Sequence, residues 1–177
     1  MTELFKRISK GDEKAVNELV LLTKQNLFQF CLHLTRDRQL AEDILHDTYI
    51  KALASFSQLK NPEAAIGWLK RIARNLHLDY IKMASTRNEK SVENPEDFGL
   101  QSSEPATGLQ MDVIKILHSM TEEERLILTL IDIQECSYEE AAVILDLPEG
   151  TVKSRLFRAR AKFSELYDGT KKQTRSS

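Results

Sequence analysis

Apolar positions recur along this chain at helical spacing, in blocks that open on capping residues. Asp12 stands before a block in which Ala15, Leu19, Leu22, Phe30 and Leu34 share a helical face, and its carboxylate is suited to the N-cap. Asp37 caps a second helix over 38–56 in the same way. Ile44, Leu45, Tyr49 and Leu53 are its apolar positions, and Glu42, Asp43, His46 and Asp47 make an acidic, polar side. Residues 56–62 read as a loop. A long helix follows over 62–86, with Pro62 near its first turn, where a missing N–H goes unneeded. Ile66, Leu69, Ala73, Leu76 and Tyr80 share one side of it; Arg71, Arg74 and Leu78 lie opposite, with Trp68 and Asn75 beside them.

Periodicity lapses over 88–106, where two Pro and one Gly interrupt a polar stretch, so this segment reads as a flexible linker. It resumes over 107–118 with Met111, Ile114 and Leu117. Thr121 and Glu124 form a capping box that opens an apolar helix through Ile133, and Ser137 and Glu140 form another. The helix after Ser137 has Ala142, Ile144 and Leu145 on its apolar side. Asp146 then stands where a helix-turn-helix unit usually has Gly; Asp tolerates the left-handed conformation that this turn requires. Leu147 anchors the turn and Pro148 suits the first position of the next helix. The tail over 169–177 reads as frayed. No strand pattern exceeds a few residues and there is no internal repeat. The expected fold is all-α: two small helical domains, over 1–90 and 107–168, joined by an acidic linker over 91–106.

At 100° per residue the last helix places Val152, Leu156, Ala159, Phe163 and Leu166 on a core side. Lys153, Ser154, Phe157, Arg158 and Ala161 point away, and Arg155 lies at the flank, where its stem covers core edge. An outward Phe between Lys and Arg costs solubility, which marks it as a candidate contact. A helix so placed can enter the major groove with its first turns at the base edges; a solvated basic helix in an all-helical bundle is the plainer alternative. On the 62–86 helix, a basic face beside the chain's only Trp fits single-stranded nucleic acid, since rings stack on bases and Arg holds phosphates. A solvated basic face and a core Trp is the plainer alternative there.

Charge sharpens this picture. The 177-residue chain has a net charge of only −2, but it is unevenly spread. Residues 151–177 hold eight Lys/Arg and two Asp/Glu, a net of +6; residues 68–90 hold six and two, a net of +4; residues 91–110 hold none and four, a net of −4. Two basic segments separated by an acidic one point to two contacts on one polymer. Cys31 and Cys136 are far apart in apolar contexts without metal-ligand spacing, and read as buried free thiols. No apolar run is long enough to span a membrane, so a soluble, cytoplasmic protein is expected.

These motifs together resemble the extracytoplasmic-function (ECF) class of bacterial RNA polymerase sigma factors. Glu140-Ala141-Ala142, Gly150-Thr151-Val152-Lys153-Ser154-Arg155 and Arg158-Ala159-Arg160 are similar to sigma region 4. Ala41-Glu42-Asp43 with Tyr49, then the run from Trp68 to Asn75 with Asp79, are similar to region 2. Ala141 stands for the usual Ile, and His46 for a common Gln. The resemblance implies that the surface of Asp43, Ile44, His46, Asp47 and Tyr49 holds polymerase core through the β′ clamp helices, with a second contact to the β flap. It implies that Trp68, Arg71, Arg74 and Asn75 melt and read the −10 element, with residues 56–61 above a base pocket. It implies that Lys153, Ser154, Phe157, Arg158 and Arg160 read the −35 element, and that an anti-sigma factor is a partner. The two promoter elements lie on the order of 70 Å apart. About twenty linker residues reach roughly 60–70 Å extended and about 25 Å as a coil, which permits compact and extended states.

Two other classes stay open on the sequence. An ordinary DNA-binding regulator accounts for the helix-turn-helix but leaves the Trp68–Asn75 pattern idle. An enzyme finds little support: there is no Gly-rich phosphate loop or nucleophile motif, no cofactor is implied, and His33, His46, His77 and His118 are scattered.

Overall fold

The computed structural model describes the backbone of residues 2–59, 61–86 and 108–174, and the side chains of these except residues 85, 108–111 and 170–174. Among the described residues there is no strand; the chain is all-α and forms two compact units. The linker expected over 91–106 lies outside the described residues, as does the side chain of Met111.

The first unit carries α1 (Thr2–Ser9), α2 (Glu13–Thr35), α3 (Arg38–Ala54) and α4 (Ala65–Thr86). Asp12 caps α2, its carboxylate accepting from the Lys14 and Ala15 N–H groups, and Asp37 caps α3 through the Leu40 N–H. Arg36 between them takes φ 57°, a left-handed stop that folds α2 and α3 into a hairpin. α4 packs on both. The interior is closed by Leu27, Phe30, Cys31, Ala41, Ile44, Leu69 and Ala73. Burial pushes the Cys31 thiol up to about 12, so it is inert, as its apolar context implies.

α1 has no counterpart in the sequence reading. Its Leu4, Phe5 and Ile8 close a small cluster with Ala15, Leu19 and Ala65, and the Phe5 ring stacks on Phe56 at 4.9 Å. Arg7 ties it to the next helix, donating to Asp12 at 2.8 Å and to Glu18 at 2.9 Å. The segment read as a loop contains a 3₁₀ turn, Phe56–Gln58, and the helix read from Pro62 opens on a second, Pro62–Ala64, before α4 begins at Ala65; Asn61 caps that turn, accepting from the Glu63 N–H at 3.0 Å.

Three expected core positions are on the surface instead: Leu22, Leu53 and Tyr80 are 63%, 42% and 46% exposed. Helical spacing names a face, but it does not say where along the helix the packing partner ends. On α4 the buried side includes Ile72, His77 and Lys70 as well as Leu69 and Ala73. Lys70 is 2% exposed, with its ammonium 5.9 Å from the Phe30 ring centroid.

The second unit contains α5 (Gly108–Ser119), α6 (Glu122–Leu128), most of α7 (Tyr138–Leu145) and α8 (Glu149–Thr174). α5 and α6 pack on α8. Both capping boxes form: the Thr121 and Ser137 hydroxyls accept from the Glu124 and Glu140 N–H groups, whose carboxylates return to the cap N–H. The apolar helix read through Ile133 changes pitch, since Thr129–Ile133 is a π-helical turn closed by the Gln134 N–H on the Thr129 carbonyl at 2.9 Å. α8 runs to Thr174, into the segment read as a tail from Gly169. Among the described residues no helix is long and apolar enough to cross a membrane.

Candidate nucleic-acid interfaces

The turn between α7 and α8 forms as its residues require. Asp146 is left-handed at φ 55°, and the Leu147 N–H returns to the Ala142 carbonyl at 3.1 Å, ending α7 without a glycine. Pro148 stands just before α8 rather than inside it, its carbonyl accepting from the Thr151 and Val152 N–H groups at 2.9 and 3.1 Å. Val152, Leu156 and Ala159 are buried, and Phe163 and Leu166 half-buried, so α8 has the roll that the apolar stripe demands. The opposite arc presents Lys153, Ser154, Phe157, Arg158 and Ala161 to solvent. Phe157 is 76% exposed.

The cations of α8 are not equivalent. Lys153 pairs with Glu149 one turn back and lies 5.3 Å from the Tyr138 ring centroid. Arg155 donates to Glu123 at 2.9 Å, Lys162 to Glu124 at 2.7 Å, and Arg160 to both carboxylate oxygens of Asp132. The Lys162 ammonium holds the Glu124 carboxyl below the usual range, and the Asp132 carboxylate holds Arg160 protonated still more firmly. Among the described residues no carboxylate pairs with Arg158; its Nε meets only the Ser154 carbonyl, at 3.4 Å. Arg158 is therefore the guanidinium on this helix available to an outside acceptor, next to the exposed Phe157 ring.

On the first unit, Trp68 and Arg74 are half-buried and Arg71 and Asn75 exposed. Trp68, Arg71 and Asn75 fall at i, i+3 and i+7, on one face of α4. The adjacent Lys70 and Arg71 part ways, one to the core and one to the surface. On α3, Glu42, Asp43, His46 and Asp47 are exposed as expected. Ile44 is not a surface residue: it is 4% exposed, because it lies on the stripe that faces the hairpin interior. Tyr49 is half-buried, its hydroxyl 2.8 Å from Thr23 Oγ1. The apolar residues that do reach the surface here are Ile50 and Leu53 on α3, with Leu21 and Leu22 on α2. The sequence reading missed Ile50, Leu21 and the exposure of Leu22; for Ile50 the signal was an apolar residue on the same stripe of α3 as Asp43 and Asp47.

Two family models match the chain: Sigma-70 region 2 over residues 19–87 and Sigma-70, region 4 over residues 110–163. The ECF RNA polymerase sigma-E factor of Escherichia coli (strain K12) is 30% identical over 175 residues, covering 89% of this chain and 88% of that protein. The chain belongs to the ECF class of sigma-70 family factors. Sigma factors of this class serve promoter-specific transcription initiation with RNA polymerase. The RNA polymerase sigma-H factor of Pseudomonas aeruginosa is 28% identical over 176 residues, covering 89% of each chain. Among solved structures, the sigma factor RpoE in complex with the anti-sigma factor NepR, from Bartonella quintana, has a TM-score of 0.70 at 28% identity, covering 86% of this chain and 96% of that one. CnrH in complex with the cytosolic domain of CnrY shares the fold, with a TM-score of 0.68 at 24% identity, covering 94% and 96% of the two chains.

In this sigma factor the region 2 match spans α2 to α4, and with them the α3 acids and the Trp68–Asn75 face. The region 4 match spans α5 to Phe163 on α8 and contains the outward arc with Arg158. It also contains an apolar cavity of about 240 Å³ between α5, α6 and α8, lined by Val113, Leu117, Leu128 and Phe163 and edged by the Asp132–Arg160 pair.

Proposed function

We propose that this sigma factor divides promoter reading between its two units: α8 reads duplex at the −35 element, and α4 captures melted strand at the −10 element. The observation that carries the reading is the face of α8, where Phe157 is exposed and Arg158 lacks a carboxylate partner. Ser154 and Arg158 supply polar groups for base edges, Phe157 supplies an apolar contact for a thymine methyl, and Lys153 supplies charge. On α4, Trp68 offers a stacking ring, Arg71 and Arg74 hold phosphates, and Asn75 has both donor and acceptor for one base edge. Unstacking a base costs a few kcal/mol, which a pocket under residues 56–61 offsets by stacking and edge hydrogen bonds.

Polymerase core binds the α3 surface of Asp43, His46 and Asp47 through the β′ clamp helices, with exposed Ile50 and Leu53 adding an apolar strip. The β flap enters the apolar cavity of the second unit. An anti-sigma factor holds the free protein in the cytoplasm, a partner supported by the RpoE–NepR relative. Functional boundaries follow the two regions, 1–90 and 107–168, with 91–106 as the tether.

Run-off transcription with purified core polymerase on a promoter library tests this reading. Core-dependent initiation from promoters sharing one −35 and one −10 motif is the expected result. Tight, sequence-specific duplex binding by the free protein, without core-dependent initiation, would point to an ordinary DNA-binding regulator instead.

A further inference from the structure

Arg160 lies roughly two helical turns beyond Lys153 and Ser154 on the basic helix, and the resemblance groups it with the −35 residues. Its guanidinium is engaged at the surface of the unit by a carboxylate. Nε donates to one oxygen of Asp132 at 3.1 Å and a terminal NH₂ to the other, a fork-to-fork pairing that fixes the plane of both groups as well as their distance. Asp132 is delivered by the π turn Thr129–Ile133, whose wider pitch resets the direction in which its side chains leave the helix. The turn is pinned behind it: Glu135 takes φ 53° and the Cys136 N–H returns to the Leu130 carbonyl at 2.9 Å. Tyr138, the first residue of α7, acts on Arg160 as well, behind the larger effect of Asp132.

The other pairs complete a pattern. At 100° per residue, Arg155 and Lys162 flank the buried stripe of α8 on one side, fastened to Glu123 and Glu124 of α6. Arg160 flanks it on the other, fastened to Asp132. The buried stripe sets the roll of α8, and the pairs on both flanks hold it there. The arc midway between the grips is the one that carries Ser154, Phe157, Arg158 and Ala161, all exposed. At 100° per residue Ser154 and Ala161 lie at the centre of that arc, with Phe157 and Arg158 about 45–55° to either side, so a roll of a few tens of degrees would bring Phe157 or Arg158 toward the centre in place of Ser154.

We propose that Asp132 is a positioning residue for promoter reading: through Arg160 it holds the roll that the buried stripe gives α8, and so steadies which side chains meet the base edges, and Arg160 itself is not a DNA contact. This rests on the reading of α8 as the −35 reader. Arg160 differs from Arg158 in this respect, although the resemblance assigns both to the −35 element.

The test uses the full chain assembled with polymerase core, on a promoter with each −35 base varied singly. The variants are Asp132→Asn, Arg160→Gln, the two combined, and Asp132→Glu, with Arg158→Ala as the control. Asp132→Asn and Arg160→Gln are each expected to flatten the −35 base preference by roughly fivefold, the combined variant no further, because one link has been broken each time. Asp132→Glu, which keeps the charge and both oxygens, is expected to recover most of the preference. The salt dependence of promoter binding is expected to stay as in the wild type. If Arg160→Gln lowers the salt slope by about 0.9 while Asp132→Asn leaves binding unchanged or tightens it, Arg160 is a phosphate contact and the proposal is wrong. If the variants lower the melting temperature and leave base preference intact, the pair is a strut only, and the proposal is equally wrong. Silence of Arg158→Ala as well would remove the −35 reading and this inference together; a responsive Arg158 with a silent Asp132 would remove this inference alone.

Discussion

The hydroxyls of Thr23 and Tyr49 lie 2.8 Å apart, joining α2 to α3 halfway along the hairpin. Thr23 also donates to the Leu19 carbonyl at 2.8 Å, so it accepts from Tyr49. Burial of the ring raises the Tyr49 hydroxyl above its usual range, which keeps it a donor at any working pH. Tyr49→Phe removes one partly buried hydrogen bond and is expected to cost about 1 kcal/mol in urea unfolding. If Tyr49 supports α3 and does not touch polymerase, affinity for core is unchanged in this variant. A loss of core affinity with unaltered stability would return Tyr49 to the interface.

Asp43 and Asp47 stand one turn apart on the exposed side of α3, flanked by Ile50. Reversing both charges, in Asp43→Lys with Asp47→Lys, is expected to weaken core binding by at least about tenfold while the helical circular dichroism and melting temperature are retained. Competition against unmodified protein for core polymerase reads this directly. Equal competition would remove α3 as the core-binding element.

Burial holds the His33 imidazole down to about 4, against an ordinary value of 6.5. Between those pH values the unfolded chain takes up a proton that the folded protein refuses. The His33 contribution to stability is therefore complete above pH 6.5 and is lost as the pH drops toward 4, by roughly 3 kcal/mol over the full window. Urea midpoints between pH 7 and 4.5 are expected to fall less steeply for His33→Gln than for the wild type. Parallel curves would assign the acid sensitivity to other groups.

Much of the architecture was legible because it rests on local chemistry. The caps at Asp12, Asp37, Thr121 and Ser137, the left-handed Asp146 and the buried stripe of Val152, Leu156 and Ala159 are each set by a few neighbouring residues. What escaped depends on partners distant in sequence. α1 is short, and only its docking against Ala15, Leu19 and Ala65 makes Leu4, Phe5 and Ile8 a helix face. The π turn needs a tertiary reason to widen, and no local residue announces it. The candidate surfaces were legible as faces and not as individual roles. Spacing could not tell buried Lys70 from exposed Arg71, nor buried Ile44 from exposed Ile50. It could not see that Asp132, 28 positions earlier, occupies Arg160 and leaves Arg158 open.

The division of labour between α8 and α4 is tested most directly by a permanganate footprint of Arg158→Ala and Asn75→Ala holoenzymes on paired −10 and −35 promoter variants. Arg158→Ala is expected to cost about 1–3 kcal/mol in recognition, and only where the preferred −35 base is present. Asn75→Ala is expected to leave closed-complex binding intact and to lose strand opening in a manner that depends on one −10 base. Phe157→Ala, run alongside, is expected to abolish the sensitivity to thymine-to-uracil replacement at −35. A uniform loss across every promoter variant, with the salt slope lowered by about one in each mutant, would mean that both segments only neutralise phosphate, and would contradict the account.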